Sequence, residues 1–419
     1  MKNLKPLIVS QSDISGGGPR AANRLHHSLV NTNIDSTMRV NSKQSDDWRV
    51  FSSHGKLDKF FSKLYPVMDQ ATTKLQHTNN LVLHSPCRFS SLKAAEINVS
   101  DIDVVNLHWI GSGFLSVEEL TRIRKPIVWT LHDMWAFCGA EHYAPDQDNT
   151  RWREGYTKNN RDSMHSGFDI DRWTWRRKKK AWNNPFHINC PSKWLADCAA
   201  NSELMHDWPI SVIPNPLDTD RFKPFPKKLA REILGLPIDA KLVLFGAIGG
   251  GSDPRKGWDL LQDALSQLVG KLDNLNAVIF GQSEPKILPQ LKLPLHWMGH
   301  LHDDTTLALL YSAVDATIVP SRQENLPQSG TEAQACGCPV IAFNTTGLSD
   351  VVEHKVTGYL AEPFCTEDLA NGIEWVIEDT TRHQKLIINA REHAVKLWSQ
   401  DVVIPQYLEL YQSAIESKM

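Results

Sequence analysis

The chain has 419 residues, 41% of them hydrophobic and 22% charged, with a formal net charge of -3 at pH 7. That length exceeds what one hydrophobic core usually serves and points to two domains of similar size, while the ordinary apolar content and near-neutral charge exclude a disordered chain and give no reason to expect a nucleic-acid partner. Seven cysteines, an odd number scattered along the chain, argue for reduced thiols in a cytoplasmic setting rather than a disulfide scaffold.

The opening segment, Met1 to Ser10, carries positive charge but no apolar run long enough for a secretion signal, and reads as a first strand at Leu7 to Ser10. No stretch approaches the roughly 20 apolar residues that span a bilayer, so membrane association is expected only at the periphery. Ser15-Gly16-Gly17-Gly18-Pro19 follows the first strand and opens a helix with Ala22, Leu25 and Leu29 on one face. Backbone N–H groups and a helix dipole at such a place receive phosphate. Taken alone, the glycine run is equally a tight turn, and it lacks both dinucleotide-binding and P-loop spacing.

Further strands are expected at Val104 to Leu107, Ile127 to Leu131 and His187 to Cys190. The segment from Met134 to Asp171 has little periodicity and is longer than ordinary connections, which marks a functional loop. Beyond it, Trp173 to Trp182 surrounds a block of like charge with aromatic residues. Together with Phe60, Phe61, Leu64, Lys56, Lys59 and Lys63, this block suggests contact with an anionic membrane surface; the alternative is a solvated helix face. Two prolines in Val212 to Asp218 place a boundary there, giving a first domain over 1–210, a second over 211–395 and a C-terminal helix over 396–419 that crosses back to the first.

The second half alternates strands and helices: Leu242 to Phe245, a helix through Leu260, Leu261, Ala264, Leu265 and Leu268, then Ala277 to Phe280, Leu295 to Met298, a helix at Leu307 to Ala313, Ala316 to Val319, another helix, and Val340 to Phe343. This is the pattern of a parallel sheet covered by helices. Both halves thus read as α/β, doubly wound domains, whose ligands bind at the carboxyl ends of the strands, in a cleft between the domains. The loop from Gly246 ends in Arg255-Lys256-Gly257, two cations suited to a departing diphosphate or, read blandly, solvated on the surface. Glu324 follows the strand Ala316 to Val319, and Glu332 lies about one turn into the next helix, which Pro327 opens. Two such carboxylates suit sugar hydroxyls but equally suit a helix dipole partner and a surface residue. His132, Asp133, Cys138, Glu141 and His142 fit no standard zinc spacing, and Asp101-Ile102-Asp103 precedes its strand, so no metal site is expected. Cys336 and Cys338 read as small buried residues at a helix end.

Glu324 to Glu332 matches the Glu-x7-Glu motif, and the chain resembles family 4 retaining glycosyltransferases of the GT-B fold also at Ser15 to Gly18, Thr130 to Asp133, Pro191 to Trp194, Val212 to Asp218, Arg255 to Gly257 and Ala333 to Val340. The resemblance spans almost the whole chain. It implies a metal-independent, cofactor-free transfer from a nucleotide diphosphate sugar, UDP or GDP, to a saccharide or lipid-linked saccharide, with two Rossmann-like domains. It implies that Gly16, Gly17, Gly18 and Lys256 meet the diphosphate, Glu324 and His132 the transferred sugar, and Glu332 the ribose. Asn325, Leu326, Pro327, Gln328 and Ser329 complete the donor site, and Leu301 in Gly299-His300-Leu301 marks the nucleobase. Many members carry arginine after the glycine that ends the first strand of the second domain. Here Ala247 follows Gly246, and Arg255 is the candidate replacement. A sugar-nucleotide epimerase or hydrolase of the same fold, and a non-catalytic nucleotide-sugar-binding protein, are the alternatives.

Overall fold

The computed structural model describes residues 4–418 apart from 54, 148–149, 247–250, 252, 288 and 302. It divides into two units, Met1–Asn215 with Ile404–Met419, and Pro216–Val403.

The first unit is built on a seven-stranded parallel sheet in the order Val50–Phe51, Thr37–Ser42, Pro6–Ser12, Val104–Leu107, Ile127–Thr130, His187–Cys190, Ile210–Val212. Leu7 lies opposite Thr37 on one side and Val105 on the other. Every residue of Val104–Leu107 and Ile127–Thr130 is buried, as apolar runs require when both faces of a parallel sheet are covered. Chain order reverses between Pro6–Ser12 and Val104–Leu107, so their carboxyl ends diverge into a crevice. The long segment after Met134 begins in the core: Trp135, Phe137, Cys138 and, further on, Trp152 are buried, and Trp129, Trp135 and Trp182 pack edge-on or tilted at centroid distances of 5.4–6.2 Å.

The second unit carries a six-stranded parallel sheet in the order Leu295–Trp297, Leu275–Phe280, Lys241–Gly246, Ala316–Val319, Val340–Phe343, Gly358–Ala361. Its reversal falls between Lys241–Gly246 and Ala316–Val319, where Val243 lies opposite Ala316. The loops leaving those two strands carry Arg255, Lys256 and Glu324, so the topology itself brings these side chains to one place. Within these two parallel sheets, four described strands escape the sequence reading: Thr37–Ser42, Val50–Phe51, Ile210–Val212 and Gly358–Ala361. They are short or mixed in polarity and lie at or next to sheet edges, where partial exposure weakens the apolar signal.

Candidate functional site

In the second unit, Asp253 starts a 3-10 turn over Pro254–Lys256 by accepting the Arg255 backbone N–H at 3.0 Å. Gly257 ends it with φ 68°, and a Cβ there would lie 1.9 Å from the Pro320 carbonyl oxygen. Only glycine lets this turn approach the neighbouring loop so closely. The loop answers with its own bond, Arg322 N–H to the Arg255 carbonyl at 2.7 Å, and the Arg322 guanidinium grips the Asp259 carboxylate at 2.6 and 2.9 Å.

These constraints set Lys256 Nζ at 2.5 Å from Glu324 Oε1 and Arg255 at 3.3 Å from the same oxygen. Ser321 Oγ donates to it at 3.1 Å, and Glu324 N–H donates to Thr346 Oγ1 at 3.2 Å. Burial pushes the Glu324 carboxyl upward, but the Lys256 and Arg255 charges and the hydrogen bonds outweigh it, leaving its pKa below the usual carboxylate range. Glu324 is therefore ionised at neutral pH although 7% exposed. Arg255 is not turned to solvent: it also donates to the Gln323 carbonyl at 2.8 Å and to Asp253 at 3.2 Å. The comparison with Ala247 lies outside the described residues.

Asn325, Leu326 and Pro327 are buried and lead into the helix Gln328–Ala335, with Gln328 and Ser329 half-exposed in its first turn. Pro327, at the N-cap, makes no side-chain cap bond, and Gly330 and Thr331 N–H donate to its carbonyl at 3.0 and 3.3 Å. Glu332 is buried one turn in, where Tyr311 Oη donates to its Oε2 at 2.8 Å. Leu301, half-buried, packs on the core of this unit, and the preceding Gly299 accepts the Gly281 N–H at 2.8 Å.

In the first unit, Gly16 has φ 96° and precedes the helix Gly17–Asn31. A Cβ on Gly18 would lie 3.2 Å from the His132 ring, so the glycine turn and His132 are direct neighbours. His132 Nε2 is 2.8 Å from His108 Nδ1, with the rings stacked. Burial lowers the His132 pKa to about 4 and drives His108 well below the ordinary value; both are neutral near pH 7 and share one proton-donor position. His108 carries no local signal in the sequence, since its partner His132 lies 24 residues away, beyond the end of the neighbouring strand. Asp133 accepts from His142 Nδ1 at 2.7 Å, Trp109 Nε1 at 3.2 Å and the Trp135 N–H at 2.9 Å, and His142 Nε2 reaches Ser85 Oγ at 2.8 Å.

Glu141 does not join His142. It lies with His84 and Asp171, their ligand-type atoms within 4.8 Å of one another. Tyr156 donates to Glu141, and burial together with the Asp171 charge drives the Glu141 carboxyl upward. The basic block after Trp173 is also divided. Lys178 is 0% exposed and donates to the carbonyls of Trp135, Cys138 and Gly139, and burial lowers its pKa to about 7. Trp175 and Trp182 are buried beside it. The stretch is one helix, Ile170–Ala181, with a core face, not a continuous surface patch.

Comparison with known proteins agrees with this architecture. The model for glycosyl transferases group 1 matches residues 230–393, and that for glycosyltransferase family 4 matches residues 49–221. D-inositol 3-phosphate glycosyltransferase of Thermobispora bispora is 29% identical over 51% of this chain and 53% of its own length. D-inositol 3-phosphate glycosyltransferase 2 of Catenulispora acidiphila is 32% identical over 49% and 51%. The chain thus spans about half the length of the curated relatives it matches. The crystal structure of Anabaena HepE in complex with UDP-glucose aligns over 98% of this chain and 100% of its own with TM-score 0.64 at 18% identity. Sucrose-phosphate synthase from Thermosynechococcus elongatus aligns over 99% and 100% with TM-score 0.66 at 18% identity. With two parallel-sheet units of GT-B type and family matches in both, the chain belongs to the group 1, family 4 glycosyltransferases.

Proposed function

We propose that the protein transfers a sugar, with retention of anomeric configuration, from a UDP or GDP sugar to a saccharide or lipid-linked saccharide. The observation that carries this reading is the Lys256–Glu324–Arg255 cluster at the sheet reversal of the second unit, beside the N-terminus of the helix that holds Glu332. The bond to Glu324 uses one of the three Lys256 N–H groups, and the others are assigned to diphosphate oxygens whose charge grows as the anomeric C–O bond breaks. Glu324 takes hydroxyls of the sugar, and Glu332 takes the ribose. The acceptor oxygen bonds to the anomeric carbon on the face the phosphate leaves, and its proton goes to the leaving phosphate oxygen. His132, neutral and held by His108, is assigned to the donor sugar and Gly16 to Gly18 to the diphosphate. The UDP-glucose complex of the HepE structure supports a nucleotide-sugar donor.

Cations and helix N–H groups neutralise the leaving group in this scheme, so it needs no metal. We place the reaction in the cytoplasm, with peripheral membrane contact through the helix Lys56–Thr73, where Leu57 and Phe60 are exposed among Lys56, Lys59 and Lys63. No described helix is long and apolar enough to cross a membrane. Incubation with a panel of UDP and GDP sugars, with and without EDTA, is expected to show one donor that raises the melting temperature and yields an α- or β-configured product matching its own anomer. Inversion, ring epimerisation without transfer, or activity lost to EDTA and restored by a divalent ion would each refute a part of the proposal.

A further inference from the structure

An open groove of about 820 Å³ lies in the first unit along the helix Ile170–Ala181 and is strongly cationic, in a chain whose net charge is -3. Three of its cations are satisfied within the fold. Arg161 donates to the carbonyls of Ser166 and Gly167 at 2.9 Å, Arg177 pairs with Glu118 at 2.6 Å, and Lys179 pairs with Glu203 at 2.9 Å. Lys158, Arg172, Arg176 and Lys180 have no side-chain hydrogen bond or ion pair among the described residues.

Arg172, Arg176 and Lys180 recur every four residues, so they form one ridge of the helix, where like charges repel. The dipole at the helix C-terminus favours a cation at Lys180 but opposes one at Arg172, in the first turn. Helix stability therefore does not account for the ridge. The groove also contains buried donors without acceptors: the Trp175 indole N–H, on a side chain 6% exposed, and Arg172 Nε. Buried donors ordinarily find partners. Phe168, half exposed, and Trp173 add aromatic surface to the same lining, with rings 6.2 Å apart. Unpaired guanidinium groups suit phosphate oxygens, and aromatic rings beside polar donors suit a sugar ring.

We infer that this groove binds a phosphate-bearing saccharide, and this does not depend on the transfer reading above. Titration calorimetry of the full chain with inorganic tripolyphosphate, and with glucose 1-phosphate, tests it. The wild type and Lys256→Ala are expected to share a binding event that the triple variant Arg172→Gln, Arg176→Gln, Lys180→Gln weakens by about tenfold or more. Lys179→Gln, which removes a cation already paired, is expected to leave it within about twofold. Equal affinity in the triple variant and the wild type overturns the inference. So does a triple variant whose only loss is sedimentation with phosphatidylglycerol vesicles, which would assign the ridge to a lipid surface. Sugar transfer without groove binding removes this inference alone, and groove binding without transfer from any nucleotide sugar removes the transfer reading while the phosphate site stands.

Discussion

Lys256 and Glu324, on which the proposed chemistry rests, each make the other tolerable in a buried place. Their side chains are 24% and 10% exposed, and neither charge would sit there cheaply alone. Under the proposed reaction the two glutamates and the lysine separate by what changes between ground and transition state. Lys256 faces oxygens that gain charge, so Lys256→Ala is expected to lower kcat far more than it weakens donor binding. Glu332 faces ribose hydroxyls that do not change, so Glu332→Ala is expected to weaken donor binding by about ten- to a hundredfold, the cost of one charged hydrogen bond, with little effect on kcat. Calorimetric donor affinities and steady-state rates on both variants decide it, and a normal kcat in the first or a normal affinity in the second would show the roles misassigned. The two glutamates, the cations and the glycine turn stand out in sequence because their spacing is local. Tyr311, His108 and Asp259, which hold Glu332, His132 and Arg322, do not, since each is brought in by a different strand or helix.

Among the elements, the turn over Pro254–Lys256 depends on Gly257 more than on any side chain. Its φ of 68° is open to other residues at modest cost, but a Cβ at 1.9 Å from the Pro320 carbonyl oxygen is not, and Pro320 begins the loop that carries Glu324. Gly257→Ala is expected to push the two loops apart, lowering both activity and melting temperature, with a stability loss of about 1–3 kcal/mol. Gly235→Ala provides the contrast: its φ is similar at 66°, yet nothing lies within 4 Å of its Cβ position, so only the backbone strain of roughly 1 kcal/mol applies. Urea unfolding of both variants tests this, and equal losses would show that strain rather than contact governs Gly257. The same distinction explains what could be read from sequence at this scale. Val104–Leu107, Ala316–Val319 and Val340–Phe343 are mostly apolar, with Asn106 and Thr317 the exceptions, and uniformly buried, so their sequence announces them. Thr37–Ser42 reads Thr-Met-Arg-Val-Asn-Ser, and its Arg39 is buried with the Val40 carbonyl, Ser53 and the Glu96 carboxylate as partners. A buried arginine in a strand becomes intelligible after its partners are known.

At the scale of the whole molecule, the chain returns to the first unit after completing the second. The helix Gln400–Glu416 contains Pro405, and the division between units falls between Val403 and Ile404, where proline's missing N–H leaves the helix one bond short. Past that point Tyr407 and Tyr411 are 0% exposed, and Asn189 donates to the Tyr407 hydroxyl at 2.9 Å while bonding the Ile213 carbonyl at 3.0 Å. Asn189 lies on the strand His187–Cys190, so the C-terminal segment is part of the first unit's core rather than an ornament on it. Near the end of the chain, Ser417 and Lys418 repeat the attachment through His187 and the Lys125 carbonyl. Tyr407→Ala is therefore expected to destabilise the first unit by about 3–5 kcal/mol, as large-to-small changes in a core do. Tyr407→Phe, which keeps the ring and leaves Asn189 its bond to Ile213, is expected to cost only about 1 kcal/mol. Hydrogen exchange during urea titration of the full chain reads the two units separately: in Tyr407→Ala, amides of His187–Cys190 should lose protection at lower urea than in the wild type, while those of Ala316–Val319 keep theirs. Unchanged protection in His187–Cys190, or an equal loss in Ala316–Val319, would show that the segment does not stabilise the first unit in particular.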